Sequence, residues 1–265
     1  MSVSLTEAKH EALIEDQPGA VPLWQATRVR GLFEEDADVA ELNHRLRQAG
    51  FTLPRVTPLE DRDWERAWQQ HVPPRRYGQR LWVVPSFTRN PPRGGVCVRL
   101  DPGLAFGTGN HATTALCLEW LAAQALDGLD IIDYGCGSGI LAIAAVKLGA
   151  RAARAVDNDP KALETARENA RLNRCLGRIR FHSPESLPTA PTDVLVANIF
   201  ANPLISLADE LARLLRPRGR IALSGILATQ AADVSSAYAA CFNMTSAVER
   251  DQWVRIAGER RPAGN

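Results

Sequence analysis

The stretch DIIDYGCGSGILAIAAVKLG, residues 130–149, decides the fold, because its pattern changes from strand to helix in the middle. DIIDY (130–134) is a short apolar run of strand length, and GILAIAAVKLG (139–149) carries the spacing of a helix closed by Gly149. Between them stand Gly135, Gly137 and Gly139. A glycine turn that leaves a strand and opens a helix lets the backbone approach a ligand at the carboxyl end of that strand. The alternation then repeats. ARAVDND (153–159) is the next strand, and a helix starts at Pro160 with Asp159 as its N-cap. RIRFHS (178–183), DVLVANI (193–199) and RIALSGIL (220–227) continue the strands, with helices over 202–215 and 229–240. NMTSAVERDQWVRIAGE (243–259) holds two strands joined by a tight polar turn at Glu249 to Asp251, a connection that only antiparallel neighbours can use. The expectation is an α/β fold: a seven-stranded, mainly parallel sheet covered by helices and finished by an antiparallel hairpin.

Upstream the texture differs. Residues 1–57 hold strand-like SVSL and TRVRGLF (27–33) and a helical DADVAELNHRLRQAG (36–50), a small α+β unit with little apolar mass. Residues 58–72 fit a linker helix that places Trp64 and Trp68 one turn apart on one face. The main domain then runs over 73–265, entered through strands RLWVVPSF (80–87) and GVCVRLDPG (95–103).

Composition narrows the class. Across 265 residues, 31 Lys+Arg against 30 Asp+Glu give a net charge of +1, which lacks the footprint of non-specific nucleic-acid binding. The basic runs RRYGQR (75–80) and RLLRPRGR (213–220) fit solvated faces or strand-entry turns. Five scattered cysteines without a C-x-x-C pair fit free thiols, and five dispersed histidines offer no ligand spacing, so no metal is expected. No apolar run has membrane-spanning length and the first residues lack a signal-peptide pattern, so the expected location is the cytoplasm.

The glycine turn reads G-x-G-x-G. A dinucleotide fingerprint needs its third glycine at position 140, where Ile140 stands. Asp133, two residues before the first glycine, suits a ligand carrying an ammonium and a sulfonium better than a pyrophosphate, which needs amide donors. Asp157 ends the next strand, where a carboxylate can accept both ribose hydroxyls. These features resemble the class I S-adenosylmethionine-dependent methyltransferases, Rossmann-like enzymes whose seven-stranded sheet has an antiparallel last strand. Asn198, in VANIFANPL (196–204), follows a buried strand and offers polar groups that can orient an amine.

DPGLAFGTGNHATTALCLEWL (101–121), the glycine segment, VDNDPKALETARENARLN (156–173), VANIFANPL and LSGILATQ (223–230), in this order, resemble the ribosomal protein L11 methyltransferase family. The resemblance implies transfer of methyl groups from S-adenosylmethionine to lysine and N-terminal amines of L11, free rather than reached through RNA, by a monomeric enzyme. It places cofactor contacts on Thr114, Gly135, Asp157 and Asn198, with Asp133, Gly137, Gly139 and the turn from Phe106 to Gly109 completing the pocket. Asn198 is the residue expected to orient the amine, while His111 is open to two roles, a base or a part of the turn. The family's small N-terminal domain, ferredoxin-like, recognises the substrate; here MSVSLTEAKHE aligns with its second strand, so its first strand and helix are expected to be missing. Asn110 and Ala112 replace a threonine and a proline of the family's usual turn, which implies a looser loop. Related protein-lysine or small-molecule amine methyltransferases, and a non-catalytic cofactor-binding module, are the competing readings.

Overall fold

The computed structural model describes residues 2–7, 27–33, 37–52, 54–57, 73–100 and 111–262. The chain divides into two compact units, Met1–Asp61 and Arg62–Asn265. The expected linker helix with Trp64 and Trp68, and the turn from Phe106 to Gly109 with Asn110, lie outside the described residues.

In the first unit β1 (Ser2–Glu7) pairs antiparallel with β2 (Thr27–Leu32), Ser2 opposite Leu32 and Glu7 opposite Thr27. Helix α1 (Val39–Gln48) starts at Asp38, whose carboxylate accepts the N–H groups of Ala40 and Glu41 at 2.8 and 3.0 Å. No residue of α1 is buried.

The second unit opens with a three-stranded sheet of β3 (Arg75–Tyr77), β4 (Leu81–Pro85) and β5 (Val96–Leu100). RRYGQR is the hairpin between β3 and β4. The run RLLRPRGR is also spent on structure: Arg216 pairs with Asp193, and Arg220 donates to the Gln124 side chain at 2.6 Å. Helix α2 (Ala112–Ala123) follows, buried over nearly its whole circumference, as its almost uninterrupted apolar sequence requires.

The main sheet is built from β6 (Asp130–Tyr134), β7 (Ala152–Val156), β8 (Ile179–His182), β9 (Thr192–Asn198), β10 (Leu215–Leu227), β11 (Phe242–Met244), β12 (Val248–Arg250) and β13 (Trp253–Arg260). Its order is β11-β13-β10-β9-β6-β7-β8, with β12 paired to β13. The pairings from β8 to β10 are parallel, and β13 runs antiparallel to β10, β11 and β12. The sheet therefore has eight strands where the sequence pattern predicts seven. The segment expected as one strand before the final turn is divided: the register against β13 shifts by one residue between Met244, opposite Gly258, and Val248, opposite Arg255. The turn itself falls at Asp251 and Gln252, with φ of 50° and 66°, the geometry of a two-residue hairpin.

Both faces of the sheet are covered, which is why its central strands are apolar on alternate and intervening positions alike. Ile131, Ala153, Ala155, Val194 and Val196 face α2, α3 (Ile140–Lys147) and α4 (Pro160–Leu172). Ile132, Val156, Leu195, Ala197 and Leu223 face α5 (Ala201–Ser206), α6 (Ala208–Arg213) and α7 (Ala231–Tyr238). The single amphipathic helix expected over 202–215 is the pair α5 and α6, divided at Leu207. Asp159 caps α4 as expected, accepting Lys161 N–H at 2.9 Å.

Candidate active site

Strand order reverses between β6 and β9: chain order runs outward from β6 through β7 to β8, then restarts on its other side at β9. A crevice opens at the carboxyl ends of two strands whose connections leave in opposite directions. The glycine turn follows β6, Asp157 follows β7 and Asn198 ends β9, so the expected glycines, Asp157 and Asn198 share one edge by topology alone.

The turn is held from below and from the side. Gly135, Gly137 and Gly139 have φ of 75°, 50° and 76°. The N–H groups of Gly135 and Cys136 both donate to the Val156 carbonyl, at 2.8 and 2.9 Å. Gly137 N–H donates to Asp157 Oδ2 at 2.8 Å, and Asp157 Oδ1 accepts Asp159 N–H at 3.0 Å. Each carboxylate oxygen can accept a second hydrogen bond, so Asp157 retains capacity for hydroxyl donors while fixing the turn.

Asp133 is placed otherwise than its motif position suggests. It is 0% exposed and lies beneath the turn, so it does not line an open face of the pocket. Its Oδ2 accepts Ala142 N–H at 2.9 Å in the first turn of α3, whose N-cap, Gly139, has no side chain to do so. Oδ1 is buried without a hydrogen-bond partner. Burial raises the carboxyl pKa from 3.8 to about 7, against the Ala142 N–H that favours the anion.

Thr114 reaches the same edge from α2. It is 3% exposed, and its Oγ1 accepts a hydrogen bond from Asn198 Nδ2 at 3.3 Å. His111 is the N-cap of α2: its Nδ1 accepts Thr113 N–H at 3.4 Å and lies 2.8 Å from Thr113 Oγ1. The ring meets Trp253 edge-on, 4.9 Å between centroids, and desolvation lowers its pKa. The geometry gives His111 a structural place as the cap of α2. Arg250 adds a brace, donating to both Glu119 oxygens at 3.0 and 3.1 Å, so the β12–β13 hairpin holds the helix that carries Thr114.

Ile199 and Gly225 escape the sequence reading. A methyl group on Gly225, φ 85°, would lie 2.2 Å from the Ile199 carbonyl oxygen and 3.0 Å from its nitrogen. A methyl group on Gly135 would lie 2.2 Å from Ile199 Cγ2. The residue after Asn198 is thus enclosed by two glycines, one in the turn after β6 and one inside β10. Gly225 sits where the β10–β13 register shifts, between Leu223 and Ile226. A glycine inside the apolar strand RIALSGIL is the signal that could have found it.

Among the described residues no group of three or more His, Cys, Asp and Glu side chains could hold a metal ion, and no helix is long and apolar enough to cross a membrane.

Residues 1–261 match the family model described as "Ribosomal protein L11 methyltransferase (PrmA)". Curated relatives named ribosomal protein L11 methyltransferase include those of Pseudomonas putida (strain GB-1), 49% identical, and Azotobacter vinelandii, 50% identical; each alignment covers 98% of this chain and 91% of the relative. A solved structure titled ribosomal protein L11 methylase, from Lactobacillus delbrueckii subsp. bulgaricus, is 32% identical and superposes with a TM-score of 0.63, covering 71% of this chain and 97% of its own.

Proposed function

The chain belongs to the ribosomal protein L11 methyltransferase family, and on that premise we propose that it transfers methyl groups from S-adenosylmethionine to amino groups of ribosomal protein L11, on lysine side chains and the N-terminus. The observation that carries the reading is the contact between Thr114 and Asn198 at the crevice beside the glycine turn, a polar pair at the end of an apolar strand.

The residues fit the cofactor. The glycine turn gives close backbone approach, and Asp157 has acceptor capacity for the ribose hydroxyls. When bound, S-adenosylmethionine supplies an electrophilic methyl carbon on a sulfonium. Asn198 directs its Nδ2 to Thr114, which presents Oδ1 as the acceptor for an amine N–H and aims the nitrogen lone pair. A lysine with a pKa of about 10.4 is protonated at neutral pH and has no lone pair to give. Desolvation in the crevice and repulsion from a cationic cofactor both lower that pKa, so the proton leaves to solvent without a dedicated base. His111 is committed to capping α2, in keeping with this.

The first unit is the proposed L11-recognition element, and the exposed Val29, Phe33, Val39, Phe51 and Val56 give it apolar surface for a protein partner. The balanced charge favours free L11 over an RNA-borne target, and we place the enzyme, as a monomer without metal, in the cytoplasm. Incubation of the purified protein with recombinant L11 and methyl-labelled S-adenosylmethionine tests the proposal. Mass spectrometry should show whole methyl increments on lysines and the amino terminus, and unmodified L11 with intact cofactor binding would refute it.

A further inference from the structure

Phe200 violates two local rules. It occupies the N-cap of α5, where Ser, Thr, Asp or Asn would accept a free helix N–H and where its own side chain makes no capping bond. It is also the most exposed large hydrophobic residue described in the second unit, at 65%. Its backbone is nonetheless fixed. The preceding Ile199 is enclosed by Gly135 and Gly225, and the Phe200 carbonyl accepts Leu204 N–H at 3.2 Å. Local preference and burial argue against phenylalanine here, two residues beyond Asn198 at the crevice edge. Such conflicts concentrate where function selects the residue.

We propose that Phe200 contacts the substrate and selects amines carried on an aliphatic stem. Its ring covers the methylenes of the entering lysine, and the ring face attracts the ammonium head before its proton is lost. This rests on the amine-methyltransferase reading and deepens it: a lysine has the stem that Phe200 covers, whereas the amino terminus of a chain has none.

The test compares wild type with Phe200→Ala, Phe200→Leu and Phe200→Ser on recombinant L11, with kinetics, titration of S-adenosylmethionine, melting curves and a peptide map of methylated positions. Phe200→Ala should raise KM for L11 about tenfold, the low end of discrimination by one apolar contact, while kcat and cofactor affinity stay within about threefold. Phe200→Leu should recover part of the loss. Methylation should fall more at lysines than at the amino terminus. Phe200→Ser should match Phe200→Ala in kinetics with a melting midpoint at or above wild type, because serine caps α5. An unchanged KM, a parallel fall in cofactor affinity, or equal losses at lysine and amino-terminal sites would overturn the assignment. A wild type that binds cofactor yet leaves L11 unmethylated would instead remove the L11 reading, and this proposal with it.

Discussion

The enclosure of Ile199 makes two glycine substitutions distinguishable by a third. Alanine at Gly225 places its methyl 2.2 Å from the Ile199 carbonyl oxygen and 2.7 Å from the carbonyl carbon, both backbone atoms. Alanine at Gly135 meets Ile199 Cγ2 at 2.2 Å, a side-chain methyl. Each glycine has positive φ, which costs a residue with a Cβ about 1–2 kcal/mol. The overlap adds about 1–3 kcal/mol of overpacking. Each single variant should therefore lose about 2–5 kcal/mol. Ile199→Ala deletes Cγ2 and leaves the backbone in place, so it relieves one collision and not the other. In double-mutant cycles by denaturant unfolding, Gly135→Ala with Ile199→Ala should show a favourable coupling of about 1–3 kcal/mol, and Gly225→Ala with Ile199→Ala a coupling near zero. Gly225→Ala should also lower kcat more than cofactor affinity, because displacing Ile199 moves the adjoining Asn198. Equal couplings in the two cycles, or none in the first, would refute the enclosure.

Thr114→Val keeps the buried volume and removes the acceptor for Asn198 Nδ2, so kcat should fall about 10–100-fold, with melting midpoint changed by only a few degrees; unchanged turnover would show that Asn198 is oriented by something else. Asp133 predicts a pH effect of fixed sign. Below about pH 3.8 it is protonated in both folded and unfolded chains and contributes no difference; between there and pH 7 the unfolded chain loses the proton that the fold retains, so stability falls as pH rises. Above pH 7 the penalty is complete, on the order of a few kcal/mol, and Asp133→Asn should show a flatter melting midpoint than wild type from pH 4 to 7. Parallel curves for the two proteins would contradict the burial of an ionisable oxygen there.

What the sequence conveyed depends on the distance over which each feature is determined. The strand, turn and helix of 130–149 and the Asp159 cap are local, so apolar period and turn chemistry sufficed. The division of the strand before the final turn depends on register against β13, which period alone does not specify. Thr114 and Asn198 were each expected at the site by resemblance, but their hydrogen bond joins positions 84 residues apart and needed the fold to bring them together. His111 stood in the sequence as a base or a part of the turn, and its place as the cap of α2, set by Thr113 and Trp253, came only with the fold. Gly225 was visible as an interruption of an apolar strand, while what it admits, the Ile199 carbonyl, lies on a neighbouring strand's exit.

The two acids expected at the site show why motif position and local bonding diverge. Asp133 spends one oxygen on the first turn of α3, and Asp157 spends both on backbone N–H groups, one of them Gly137 in the turn itself. A glycine turn has the largest backbone entropy to lose on ordering. Tying it to the Val156 carbonyl and to the Asp157 carboxylate at the end of β7 fixes it before any ligand arrives, so less of the binding free energy goes into ordering the loop. The same bonds leave Asp157 able to accept further donors while Asp133 is sealed away. On the proposed function, the acid open to a ligand is therefore Asp157, the partly buried one after the second strand. Removal of Asp133 is expected to act through the N-terminal end of α3, and removal of Asp157 through the glycine turn and, on the proposed function, the ligand.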